Sequence, residues 1–292
     1  GSITFNSEGL DFPDGGVNEA GLAVFEMSLD GTRYPIDPTQ PTLFIALWIQ
    51  HQLDMCATVA EVIRNAHEIN QQGWTWHYFV ADRQGNCAII EFLAGEVVVH
   101  TGDDVTYPVL CNTAYAHELA RLAGHRGFGA GLKSLFGLTP RFVRAARMLD
   151  AYDPKMRRSA EDYAWSILKE IRIRGWNKWA ILVDLEAMTV SFHTNRNRRV
   201  RHVAFASFDF ASGPAELLDI HADLVGDAAG AFADYSYERN LAHARARADE
   251  LFVERFKGLE DIGVTAAVYA RRFADYSARM RGELTPSPHG PR

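Results

Sequence analysis

Trp76-His77-Tyr78-Phe79-Val80-Ala81-Asp82, Cys87-Ala88-Ile89-Ile90-Glu91-Phe92 and Glu96-Val97-Val98-Val99-His100-Thr101 follow one another with only short interruptions. Each run is rich in β-branched and aromatic residues, and the turns between them, Arg83-Gln84-Gly85-Asn86 and Ala94-Gly95, both contain glycine. Such a series reads as an antiparallel meander. The short apolar run Val109-Leu110-Cys111 follows and reads as a buried strand ending in Asn112. A carboxamide on a backbone held by neighbours is a fixed hydrogen-bond donor, which makes Asn112 the first candidate for chemistry.

Upstream of the meander, Gly1–Phe5 reads as a strand, Asn6–Asp14 as a polar turn and Asp14–Leu22 as a second turn cluster leading into a strand over Leu22–Leu29. Asp30–Pro41 carries three prolines and reads as a loop. Apolar residues from Leu43 to Leu53 recur on one helical face, and Thr58-Val59-Ala60-Glu61 is a capping box that opens a second helix through Ile69. These two helices form one layer.

Downstream, a helical segment to Ala123 precedes the glycine-rich stretch 124–137, a loop by composition. Thr139 reads as an N-cap with Pro140 at the first helical position, so Arg141 lies in the first turn of a helix running to Tyr152. Ser159–Ile171 is a further helix, Trp179–Asp184 and Thr189–His193 a hairpin, and Val203–Phe208 a returning strand. The order of elements is α+β, with two sheets and two helical layers. Beyond Gly213-Pro214 helical periodicity continues to about Arg281, and Leu241, Ala244, Ala248, Leu251 and Phe252 mark an amphipathic face. Two units are expected, a body over 1–212 and a helical extension over 213–292 packed on the body or on a partner subunit. A homo-oligomer is the expected state.

The chain has 292 residues, 47% of them hydrophobic and 23% charged, which is ordinary for a globular protein with a sizeable core. A formal charge of -7 argues against nucleic acid as a partner. No run approaches the roughly 18 apolar residues of a membrane span, and the first residues carry no targeting pattern. Cys56, Cys87 and Cys111 show neither C-x-x-C spacing nor a histidine at metal-ligand spacing, so buried reduced thiols are expected, with no metal and no cofactor.

Phosphate-loop, dinucleotide-fold, zinc-protease and Gly-x-Ser-x-Gly patterns are absent, which removes several common enzyme classes. His77 and His100 read as core-edge histidines without partners. The stretch from Asn195 to Arg201 holds four arginines and reads as a solvated hairpin tip. A cation such as Arg141 in a first helical turn opposes the helix dipole and implies an anion nearby.

Taken together, four stretches in order resemble the choloylglycine hydrolase family: Asp14-Gly15-Gly16-Val17-Asn18-Glu19-Ala20-Gly21-Leu22, Trp76 to Gly85 with Ile89-Ile90-Glu91, Val109-Leu110-Cys111-Asn112, and Thr139-Pro140-Arg141-Phe142. The resemblance spans Gly1 to about Phe210. It implies an αββα sandwich of two antiparallel sheets between helical layers and hydrolysis of a linear amide in a small N-acyl compound. Penicillin V, bile-acid conjugates and acyl-homoserine lactones are the substrate classes it implies, with a periplasmic or secreted location. In that family an N-terminal cysteine thiolate attacks the carbonyl and its own α-amino group shuttles the proton. Asn112 matches the family's oxyanion asparagine, and Arg141 an arginine of its active site. Ser28 falls where a second oxyanion residue, Asn or Tyr, usually stands.

The chain departs from the pattern in having Gly1 and Ser2 where such a protein would present its cysteine. The expectation is that an upstream part of the parent carries the nucleophile and that these 292 residues alone are catalytically silent. A weaker expectation has Ser2 as the nucleophile. The alternative from another class is a non-enzymatic relative that uses the pocket for binding or the 213–281 region for assembly. Thr32–Pro41 and Ala123–Leu138 are the loops expected to set substrate choice, with Phe128, Leu135 and Phe136 as apolar acyl contacts.

Overall fold

The computed structural model describes residues 1–125, 139–254 and 263–283. In chain order its main elements are β1 (Ser2–Asn6), β2 (Pro13–Asn18), β3 (Leu22–Ser28), β4 (Thr42–Phe44), α1 (Ile45–Met55), α2 (Val59–Glu68), β5 (Asn70–Gln72), β6 (Trp76–Asp82), β7 (Cys87–Leu93) and β8 (Glu96–Thr101). Then come α3 (Tyr115–Gly124), α4 (Arg141–Asp150), α5 (Ala160–Ile171), β9 (Trp179–Asp184), β10 (Thr189–Thr194) and β11 (Arg201–Ala204). The short strands β12 (Glu216–Leu217), β13 (Gly226–Asp227) and β14 (Ala233–Asp234) lead to α6 (Tyr237–Glu254) and α7 (Ala266–Met280).

Period-two alternation in the meander sorts its side chains between two cores. Trp76, Tyr78, Val80, Ala88, Ile90 and Phe92 pack on one face against α1 and α2, where Trp48 stacks on Tyr78 at 4.6 Å between ring centroids. Phe79 and Ile89 point the other way and meet Tyr115 of α3 and Phe142 of α4. The large sheet runs β1-β2-β3-β6-β7-β8, with every adjacent pair antiparallel. Its β1–β3 end carries Phe5, Val17 and Ala23 against Val190, Phe192 and Val203 of a second sheet, ordered β13-β11-β10-β9. With α5 packed beside β9 and α4 beside α5, two sheets lie between helical layers, the αββα sandwich.

Several segments differ from what their sequence predicts. Asp14-Gly15-Gly16-Val17 is part of a strand, not a turn. Its glycines serve close approach: a Cβ on Gly16 would sit 2.7 Å from the Ile3 carbonyl oxygen, and one on Gly15 would strike the Phe25 ring. The first helix starts at Ile45, because Thr42–Phe44 pairs in parallel with Asn70–Gln72. The returning strand opens two residues early, at Arg201, and gives way to a 3-10 turn at Phe205. Residues 216–234 hold short strands and a 3-10 turn at Ala229–Ala231 rather than an α-helix, and α-helical structure begins at Tyr237.

The capping box at α2 is present in both directions, with Thr58 accepting from Glu61 N and Glu61 bonding back to Thr58 N. The α6–α7 pair packs Ala244 and Ala248 against Ala270. Both helices also hold the turn between β1 and β2. Asn240 Oδ1 accepts from Leu10 N at 2.9 Å, the Ser277 hydroxyl donates to Leu10 O, Arg281 pairs with Asp11, and Arg247 with Glu8. None of the described helices is long and apolar enough to cross a membrane.

Candidate active site

Asn112, Arg141 and Ser28 are far apart in the chain and meet in space. The Asn112 Nδ2 donates to the Ser28 carbonyl oxygen at 3.0 Å, and its Oδ1 accepts from Arg141 Nη2 at 2.7 Å. The amide is thereby fixed at both ends, since an oxygen on the arginine side leaves both N–H donors on the Ser28 side. Asn112 and Ser28 are exposed, as a group that meets substrate must be.

Two details correct the sequence reading. Val109–Cys111 adds no strand to the sheet: apart from a bridge between Cys111 and Thr113, the segment has no ladder. Pro140, not Thr139, is the N-cap of α4, so Arg141 is its first helical residue, and the partner of its cation is the carboxamide oxygen of Asn112 rather than a carboxylate.

What holds Asn112 in place, without a ladder, is a buried polar pair that the sequence reading missed. His77 and Glu91 are both fully buried and face each other, Nδ1 to Oε1, at 3.0 Å. His77 Nε2 donates to the Cys111 carbonyl at 2.8 Å, and Glu91 Oε1 accepts from Tyr115 N at 3.0 Å. The segment 111–115 is thus pinned on either side of Asn112. Nε2 faces a carbonyl and therefore donates to it, while Nδ1 faces the carboxylate. Burial pushes Glu91 up, but hydrogen bonds from His77 and Tyr115 N and the charges of His77 and His100 outweigh it, so its carboxyl titrates below the usual range. His100 Nε2 stands 3.4 Å from the other Glu91 oxygen.

None of the three thiols is poised to attack. Burial pushes Cys56 and Cys111 up to about 11, and it raises Cys87 as well. At neutral pH such groups are thiols, and the thiolate is the nucleophilic form. Among the described residues there is no group of three or more His, Cys, Asp or Glu side chains arranged to hold a metal.

A cavity of about 1460 Å³ opens beside β1 and the ends of both sheets. Ser28 lines it, together with Glu26, Asp14, Trp76, Trp176 and Phe192, whereas Asn112 and Arg141 do not. Asp14 accepts from the Ser7 backbone N–H at 2.8 Å and from the Ser7 hydroxyl, and burial raises its carboxyl to about 6. Glu8, beside it, is raised by burial against the pull of Arg247. Phe128, Leu135 and Phe136 lie outside the described residues.

The hairpin tip with four arginines is only partly solvated. Arg201 is buried, with Nη1 donating to Asn197 O and Arg199 O at 2.9 and 2.6 Å and Nη2 to Ile220 O, while its guanidinium lies 5.0 Å from the Phe192 ring centroid.

No family model matches the chain. A penicillin V acylase of Pectobacterium atrosepticum is 26% identical over 256 residues, covering 73% of this chain and 68% of that protein. The solved penicillin V acylase of Agrobacterium tumefaciens superposes with a TM-score of 0.68 at 25% identity over 80% of this chain and 81% of that one. A variant of conjugated bile acid hydrolase from Clostridium perfringens matches in fold with a TM-score of 0.59 at 17% identity, over 69% of this chain and 75% of its own. The αββα layers are thus shared with a penicillin V acylase and a conjugated bile acid hydrolase, and the chain is similar in sequence to penicillin V acylases.

Proposed function

We propose that the protein hydrolyses the linear carboxamide of a small N-acyl compound, water adding to the acyl carbon as the amine leaves and a carboxylic acid forms. The observation that carries this reading is the Asn112 carboxamide, clamped by Arg141 at its oxygen so that its N–H groups stay on the Ser28 side. A donor held in advance where a tetrahedral intermediate develops negative charge can lower the barrier by about 3 kcal/mol. Arg141 is a positioning residue for that amide and adds a fixed positive charge. Ser28 contributes backbone rather than side chain to the arrangement.

The attacking group in this reading is the N-terminal cysteine that the family resemblance implies, and Cys56, Cys87 and Cys111 are not it. Penicillin V is the first substrate to try, because one relative similar in sequence and one similar in fold are penicillin V acylases. The test is to incubate the whole protein with penicillin V, a conjugated bile acid and an acyl-homoserine lactone and to separate the acid and amine products by chromatography. Release of both products from one substrate, abolished by Asn112→Ala, supports the reading. Intact substrates after prolonged incubation with folded protein that carries the N-terminal cysteine overturn it.

A further inference from the structure

A second cavity, of about 590 Å³, lies between α4 and α5 and shares no lining residue with the Ser28 cavity. Arg144, Arg158, Lys169, Arg172 and Arg174 converge on it, with Glu170 as its acidic group. That is a strong local excess of positive charge on a chain whose formal charge is -7. Glu170 does not offset the others, because it is already engaged: Arg144 Nη1 donates to its backbone carbonyl and to its Oε1 at 3.1 Å. Among the described residues Arg158, Lys169, Arg172 and Arg174 form no ion pair within 4.0 Å. The Arg144 Nε is buried without an acceptor.

The blander account is that cations gather at the C-terminus of α5 to complement its dipole. That covers Lys169 in the last turn and Arg172 at the C-cap. It does not cover Arg144, which comes from α4, Arg158, which enters ahead of α5, or Arg174, from the turn beyond it. The wall of the cavity is also ordered. The Tyr163 hydroxyl donates to Met148 O, the Ser166 hydroxyl to Tyr163 O, and the Arg158 guanidinium lies 6.0 Å from the Tyr163 ring centroid.

We propose that this cavity is a binding site for a small polyanion of the phosphate type, carrying at least two negative charges. Planar guanidinium forks match tetrahedral oxyanions through paired N–H donors, and the volume lies within the usual range for small-molecule sites. The proposal stands apart from the acylase reading, since none of its residues touches Asn112 or Ser28.

Isothermal titration of the whole protein with inorganic pyrophosphate is the test, at low salt and again with added NaCl. Saturable one-to-one binding is expected, weakened by salt as screening requires. The double variant Arg158→Glu, Arg172→Glu changes two exposed side chains and is expected to weaken binding by at least about tenfold. Should that variant melt early, Lys169→Gln with Arg174→Gln serves in its place. Sedimentation with phosphatidylglycerol vesicles separates the two sources of the anion. Binding to vesicles but not to pyrophosphate, lost in the variant, identifies a lipid headgroup, and the reverse pattern a free phosphate compound. Absence of saturable binding to either probe, or equal affinity of the variant and the parent, overturns the proposal.

Discussion

Arg141 Nη2 donates to Asn112 Oδ1 at 2.7 Å, across 29 residues of chain, and this contact decides which way the carboxamide points. Loss of the donor and loss of its clamp should therefore have different signatures. Asn112→Ala is expected to lower kcat for the hydrolysed amide by about 10²–10³ with little change in KM, as removal of an oxyanion donor does. Arg141→Leu leaves the amide in place but unclamped, and should lower kcat by a smaller factor. Steady-state kinetics on both variants, with thermal melts to exclude unfolding, make the comparison. Equal kcat for Asn112→Ala and the parent would remove Asn112 from the chemistry.

Glu91 and His77 act on stability before they act on anything else. Removing one member of a fully buried pair leaves the other uncompensated, which typically costs about 3–5 kcal/mol. Glu91→Leu is expected to lose on that order in urea unfolding. The sign of the pH effect follows from the depressed carboxyl: its contribution is present above the ordinary glutamate range and is lost as pH falls through the lower, folded value. Unfolding curves of the parent and of Glu91→Leu should therefore converge in acid and separate towards neutrality.

Asp14 has the opposite sign. Its folded carboxyl titrates near 6, above the usual aspartate value of 3.8, so the folded state holds the proton more tightly than the unfolded one. Stability from this group is highest at acid pH and is lost as pH rises to about 6, with Glu8 adding in the same direction. Asp14→Asn should flatten that slope. Urea midpoints measured at intervals from pH 4 to 7 test it, and an unchanged slope in the variant would show that Asp14 is not its source.

Arg201→Met keeps length and apolar bulk but takes the guanidinium donor from the carbonyls of Arg199 and Ile220, while Asn197 O keeps the Thr194 N–H at 2.8 Å. These two acceptors are part-buried, so a loss of about 1–3 kcal/mol is expected from denaturant unfolding. Arg198→Met, an exposed neighbour on the same tip, should change stability by less than about 0.5 kcal/mol.

Much of the fold was legible because its signals are local. The bounds of β6 and β8 coincide with their β-rich runs, and the α2 capping box is written in four consecutive residues. The misreadings share a cause, which is that the deciding contact lies elsewhere in the chain. Gly15 and Gly16 look like a turn until β1 and Phe25 are seen to press on them. Glu91 opposite His77 is a matter of register: a symmetric four-residue turn over 83–86 would pair Glu91 with Tyr78, whereas the turn observed includes Asp82, with Asp82 N bonded to Asn86 O, and shifts the pairing by one residue. Arg201 sits in a basic run that reads as solvated, and only the folded course of Ile220 supplies its third acceptor. The candidates Asn112, Arg141 and Ser28 came from ordered motifs, but their mutual contacts, and the peptide groups through which His77 and Glu91 hold Asn112, have no pattern in the sequence.

The grip of α6 and α7 on the β1–β2 turn bears on how the chain acquires its shape. Asn240 reaches Leu10 across 230 residues, Ser277 reaches it across 267, and Arg281 meets Asp11 across 270. Contacts of such separation form late and slow the search for the native state. During synthesis the early hairpin must wait, with its Leu10 peptide groups in water, until nearly all of the described chain has left the ribosome. Its final latching waits for α7, and truncations that remove Ser277 and Arg281 should leave the first strands open to proteases.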